Sequence, residues 1–226
     1  MQNKTFRPRD TTIVNFVIRY RLATNNAVRL RLVPGRSPNA VAKVTARLCT
    51  IGLLTRYMLI PPETYFRVGV KAINALGLSP RDAEALGPQA LPVDYATLVY
   101  ATQGESPKQR LSTLDFTEYT PWLPEEMRRS PYCLAADGRL DLVRVDLGGS
   151  PQHVARKVAI AAHDRLSVPQ LAELAARARF QIVVLTTSHR KANFIAKALA
   201  DTDCADAVRI HLAVIPRLSL LLLRGN

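Results

Sequence analysis

Asn39, Lys43 and Arg47 stand four residues apart, so on a helix they share one face. An asparagine there can pair with an adenine edge, and a lysine or arginine with a guanine edge or a phosphate. The small Ala42 and Ala46 flank this face and permit close approach to a major groove. Arg36 and Ser37 directly precede it, and Arg56, Arg67 and Lys71 follow on two β-like runs as phosphate candidates. The charge balance points the same way. The chain of 226 residues holds 31 Lys and Arg against 18 Asp and Glu, a formal net of +13. Residues 1–90 carry 14 basic and 4 acidic side chains, a net of +10, whereas residues 91–226 carry 17 and 14. A polyanion is the natural partner of such a segment, because binding releases condensed counterions.

Other residue types offer less chemistry. His153 and His163 are ten residues apart, with no carboxylate at metal-ligand spacing, and there is no C-x-x-C or H-E-x-x-H. No metal and no cofactor is therefore expected. His189 follows Thr186-Thr187-Ser188 at a strand end, where α/β proteins often place sites. Gly148-Gly149-Ser150 opens a helix that can face a phosphate, but it lacks the G-x-x-x-x-G-K-S/T spacing of a nucleotide hydrolase. Cys49, Cys133 and Cys204 are odd in number and far apart, which favours reduced thiols and a cytoplasmic protein. Met1–Pro8 has no apolar signal core. The apolar stretches Ile13–Ile18 and Leu218–Leu223 fall short of the roughly 20 residues a membrane-spanning helix needs.

The elements that must position the basic face read as follows. A helix runs from Asp10 to about Arg21, with Ile13, Val14, Val17 and Ile18 on one apolar side. A second helix begins at the N-cap Thr24 and stops before Pro34-Gly35. The third has Ser37 as N-cap and Pro38 at its first position, and runs to about Ile51. Its apolar stripe is Val41, Val44, Leu48 and Ile51. The β-like runs Leu53–Ile60 and Thr64–Val70 follow, separated by Pro61-Pro62-Glu63. Three helices and a hairpin is the order of a winged helix-turn-helix. Residues 91–130 read as a connecting segment, within which Asp94–Thr102 fits a helix with Val93, Ala96, Leu98 and Val99 inward. Beyond them, Tyr132–Ala136 and Leu140–Leu147 are strands joined by an Asp137-Gly138 turn. Ser150-Pro151 opens a helix to about Ala162, and Ser167 caps another through Arg179. Phe180–Thr186 is a buried strand, and Ser188 caps a helix to about Ala200. Ala207–Ile215 and Leu218–Leu222 read as further strands of a mixed sheet.

The segments Ala40–Leu59 and Pro131–Lys157 resemble the replication-relaxation family of plasmids and integrative elements. That family pairs a winged helix with a domain resembling PD-(D/E)XK nucleases, and its members include mobilisation relaxases. In an active relative the second segment reads Pro-Asp on one strand, Glu-x-Asp-x-Gly on the next, and a helix-borne Lys. The resemblance then implies carboxylates that hold a divalent metal, a metal-activated water, and a lysine supporting the developing charge. Here Tyr132 stands at the Asp position and Arg144 at the Glu position, while Asp146, Gly148 and Lys157 remain. Asp141 is the one substitute carboxylate, and strand alternation points it away from Asp146. Asp146 then reads as the partner of Arg144 or Lys157 in a structural ion pair.

The sequence thus predicts an α+β protein of two domains. Residues 1–90 form an N-terminal winged helix-turn-helix, and residues 131–226 a C-terminal α/β, restriction-endonuclease-like mixed sheet. The expected function is sequence-recognising binding of double-stranded DNA in a mobile genetic element, without catalysis, in transcriptional control or as an accessory factor in replication or transfer. The alternative is a metal-dependent nicking nuclease or relaxase using Asp146, Lys157 and Asp141. A homodimer without membrane attachment is expected, with residues 104–226, including the tail Leu218–Leu223, carrying the association.

Overall fold

The structure, a computed structural model, describes residues 7–104, 106–204 and 207–224. Met1–Phe6, read above for a secretion signal, lie outside the described residues. The chain divides into two compact units, Met1–Gly87 and Pro88–Asn226, each mixing helices and strands. Among the described residues, no helix is long and apolar enough to cross a membrane.

In the first unit, local chemistry sets each helix start. α1 (Pro8–Tyr20) buries Ile13, Val14, Phe16, Val17 and Tyr20. α2 (Asn25–Leu32) is capped by the Thr24 hydroxyl, which accepts the Ala27 amide at 3.2 Å. α3 (Pro38–Thr50) is capped by the Ser37 hydroxyl, which accepts the Ala40 amide at 3.2 Å. β1 (Leu54–Ile60) and β2 (Glu63–Val68) form an antiparallel hairpin, with Tyr57 opposite Tyr65. Ala23, between α1 and α2, joins the hairpin by a reciprocal pair of backbone bonds with Phe66, at 3.0 and 2.8 Å. α4 (Val70–Leu76) follows. Gly69, before it, is fixed by space: a Cβ there would collide with the carbonyl of Gly52 at the end of α3.

The second unit is built on a five-stranded sheet. In chain order it comprises α5 (Ala90–Gln103), β3 (Lys108–Arg110), α6 (Thr113–Tyr119), α7 (Glu125–Arg128), β4 (Tyr132–Ala135) and β5 (Leu140–Val145). α8 (Pro151–Leu166), α9 (Pro169–Ala176), β6 (Phe180–Thr186), α10 (His189–Ala200), β7 (Arg209–Val214) and α11 (Leu218–Arg224) complete it. The sheet order is β3-β4-β5-β6-β7. The first two pairings are antiparallel and the last two parallel, so the sheet is mixed. Leu140, Leu142, Phe180, Ile182 and Val184 face a core shared with Val158, Ala162, Leu171, Ile195 and Leu199 from α8, α9 and α10. The alternate residues, Asp141, Val143, Gln181, Val183 and Leu185, face the opposite side, where Tyr100 of α5 bonds to Asp141.

Two readings of the sequence are corrected here. Residues 91–130 are not a connection, because α5, β3, α6 and α7 belong to the second unit. α5 is buried from Tyr95 to Thr102, and its Asp94 carboxylate takes the Arg110 guanidinium at 2.8 Å. Leu218–Leu222 is helical rather than a strand. Only Leu218 and Leu221, three residues apart, are buried, while Leu220 and Leu223 are exposed. A leucine run has high helix propensity, and one buried row satisfies it.

Candidate functional site

α3 presents a basic face. Arg36, Ser37, Asn39 and Lys43 are exposed, while Val41, Thr45 and Leu48 are buried. The buried stripe runs through Thr45 rather than the expected Val44 and Ile51, and Ile51 is 37% exposed. Thr45 fits because its hydroxyl reaches the Asn25 side-chain oxygen at 2.8 Å, tying α3 to α2.

Arg47 does not stand beside Lys43 as a free cation. Its Nη2 lies 2.5 Å from Asp10 Oδ1, and the Asp10 carboxylate is only 3% exposed. Asp10 is the one acidic residue before Glu63, a signal that a nearby arginine would be drawn to it. Arg67 is corrected outright as a phosphate contact. It is buried, and its guanidinium donates to the backbone carbonyls of Arg21, Arg81 and Glu84. The segment after α4 folds back over the hairpin and supplies two of those acceptors. Lys71 is exposed but lies on the first turn of α4, not on a strand. Arg56 is exposed on β1, 5.7 Å from the Phe66 ring centroid and beside Cys49. Burial raises the Cys49 thiol above its ordinary range, and Arg56 opposes that shift.

Tyr132, Arg144, Asp146 and Lys157, singled out by the resemblance, lie on β4, on and just after β5, and on α8. Tyr132 is fully buried, and Arg165 Nε donates to its hydroxyl at 3.4 Å. Burial pushes the Tyr132 phenol upward. Arg144 is half-buried, and burial followed by the nearby Arg165 charge lowers its pKa. Asp146 is 2% exposed. It accepts from Lys191 Nζ at 2.8 Å, the Thr186 hydroxyl at 2.9 Å and the Gly148 amide at 3.0 Å. Its ionic partner is therefore Lys191 of α10, not Arg144 or Lys157. Lys157 is exposed on α8, and with Arg144, Asp146 and His153 it lines a cavity of about 330 Å3. Asp141 does not join them. It lies on the other face of the sheet, held by Tyr100 Oη at 2.6 Å, Gln181 Nε2 at 2.9 Å and Arg139 Nε at 3.0 Å. Among the described residues, no group of three or more His, Cys, Asp or Glu side chains is placed to hold a metal ion.

Comparison of the chain with protein-family models, with curated proteins and with solved structures finds no match.

Proposed function

We propose that this chain is a cytoplasmic, sequence-recognising double-stranded DNA-binding protein of a mobile genetic element, non-catalytic, acting in transcriptional control or as an accessory factor in replication or transfer. The observation that carries the reading is the exposed Asn39/Lys43 face of α3, opposite a buried Val41/Thr45/Leu48 stripe. It sits in a unit whose net charge is +10 over residues 1–90. Helix, single bridge at Ala23, two helices and hairpin is the arrangement of a winged helix, with α3 as the recognition helix. Arg56 and Lys71 supply phosphate contacts to either side.

The second unit is read as a nuclease-like domain without its metal site. The antiparallel β3-β4-β5 followed by parallel β6 through α8 fits that fold. Tyr132 and Arg144 replace two formal negative charges by one positive charge. At an effective dielectric of about 20, a like charge at about 4 Å opposes a metal by roughly 4 kcal/mol per unit of its charge. Lys191 already neutralises Asp146. In this reading the second unit pairs two copies for two-fold related half-sites.

The test is selection of duplexes from a random pool by the purified chain. One enriched motif, bound and left uncut, supports the proposal. No enrichment over the starting pool refutes it.

A further inference from the structure

Arg144, near the end of β5, is half-buried, yet among the described residues it makes no hydrogen bond and no ion pair. The charged groups that reach it are Arg165, which repels it, and Asp164, which attracts it. Those two already face each other, with Arg165 Nη1 3.8 Å from Asp164 Oδ2. A guanidinium keeps its charge in proteins, so Arg144 cannot escape its position by losing a proton. Its donors call for an acceptor from elsewhere, and a partly desolvated cation calls for an anion. None of its nitrogens is sealed from solvent, so an anion can reach them from outside the protein.

Arg144 lines the cavity of about 330 Å3 beside the start of α8, at the lower end of the size of small-molecule sites. Lys157 lines it too, exposed on α8 and, among the described residues, without an ion pair. Asp146 is the only acidic residue among the described residues of the wall. It does not oppose the two cations, because its side chain is 0% exposed and bound to Lys191 at 2.8 Å. Gly149 and His153 bring the N-terminal turn of α8 to the same wall, where the helix dipole favours an anion. Most of the remaining wall is apolar, including Val93, Val143, Leu147 and Val154. A few polar groups in an apolar recess is the make-up of a small-molecule site. A DNA backbone would use the cations and leave the apolar wall without an occupant.

We propose that this cavity binds a small organic acid, one oxyanion head carried on an apolar body. Arg144 takes the head through its N–H donors, Lys157 adds a second positive charge, and the apolar wall takes the body. The site lies in the second unit, so it stands or falls independently of the DNA-binding reading of α3.

Isothermal titration of the full chain with benzoate and with phenyl phosphate tests it. Acetate and inorganic phosphate supply the head without the body, and benzamide supplies the body without the charge. The expected result is one saturable site for at least one aromatic acid, about tenfold or more tighter than for any of the three controls. The tighter of the two acids identifies the head as carboxylate or phosphate monoester. Arg144→Met keeps an apolar stem but removes the donors, and should weaken that acid about tenfold or more. Lys157→Ala, at an exposed position, should weaken it about threefold. Thermal unfolding accompanies both variants, and Lys157→Ala decides the matter if Arg144→Met does not fold. Absence of saturable binding of both acids overturns the proposal. So does binding of benzamide or of the bare anions as tight as that of the acids, or indifference of the acid to the deciding variant. An Arg144→Met protein that loses duplex DNA as strongly as the acid also overturns it, because the guanidinium then belongs to a DNA phosphate.

Discussion

Replacing Arg47 by alanine separates two roles that the sequence assigns to one basic face. Its guanidinium lies 2.5 Å from an Asp10 carboxylate that is 3% exposed, while the Arg47 side chain itself is 36% exposed. A fully exposed ion pair contributes up to about 1 kcal/mol. Removing one partner of a fully buried pair costs about 3–5 kcal/mol, since the other charge is left without compensation. The Arg47–Asp10 pair stands between these limits. Arg9 Nε, 3.7 Å from the same carboxylate oxygen, and the first-turn position of Asp10 in α1 soften the loss. Arg47→Ala is therefore expected to destabilise the first unit by about 2 kcal/mol. For a unit of this size that is a drop of about 8–16 °C in its thermal transition. Lys43→Ala, on the same helix, should stay within about 0.5 kcal/mol of the parent. A double-mutant cycle with Asp10→Ala should return a coupling of about 1–2 kcal/mol. Circular dichroism melts of the four proteins give all these quantities. An Arg47→Ala protein as stable as the parent, with no coupling to Asp10, would show that Asp10 does not hold the guanidinium. Arg47 would then belong with Lys43 as a DNA contact.

The remaining predictions concern the thiols, one histidine and cleavage. Burial pushes the Cys133 thiol up to about 12, and Cys204 is 7% exposed, whereas Cys49 is only half-buried. Ellman's reagent at mildly alkaline pH should modify Cys49 alone in the native chain and reach the other two on denaturation; rapid native reaction at Cys133 would contradict the packing. His211 is held below its ordinary 6.5 by burial, with Arg209, Lys108 and Arg139 adding to that and Asp141 opposing it. Its neutral form stabilises the fold above pH 6.5, and this contribution is lost as pH falls through the depressed value. Resonance titration of His211 should show a midpoint below 6.5, and a midpoint above it would refute the assignment. Supercoiled DNA carrying the bound site should stay uncut with magnesium or manganese, and nicking that disappears in Lys157→Ala would restore the nuclease reading.

What the sequence made legible is what local chemistry decides. Thr24, Ser37, Ser150 and Ser188 each accept the amide three residues on, and each marks a helix start found in the structure. The Asp137-Gly138 turn, with Gly138 at φ +80°, and the buried strand Phe180–Thr186 were equally readable. α5 was legible only as a helix over Asp94–Thr102, without its place in the second unit, because it is buried on nearly every side and carries no polar stripe to set its period or bounds. The leucine tail has the same composition whether it is strand or helix. The pairings that reassign side chains join residues remote in sequence: Arg47 with Asp10, 37 residues away, and Asp146 with Lys191 on a different element. Arg67 was misread because nothing in residues 79–86 announces that they return across β2 and take its guanidinium.

Binding of the full chain to its selected duplex and to a scrambled duplex, with parent, Asn39→Ala and Lys43→Ala compared at one salt concentration, tests the central claim most directly. The account predicts that the parent prefers the selected site by about a thousandfold or more. Lys43→Ala or Asn39→Ala should lose about 1–3 kcal/mol on that site where a base edge is contacted, and less on the scrambled one. Equal affinity of the parent for both duplexes, or selected-site binding untouched by either substitution in a folded chain, would contradict it.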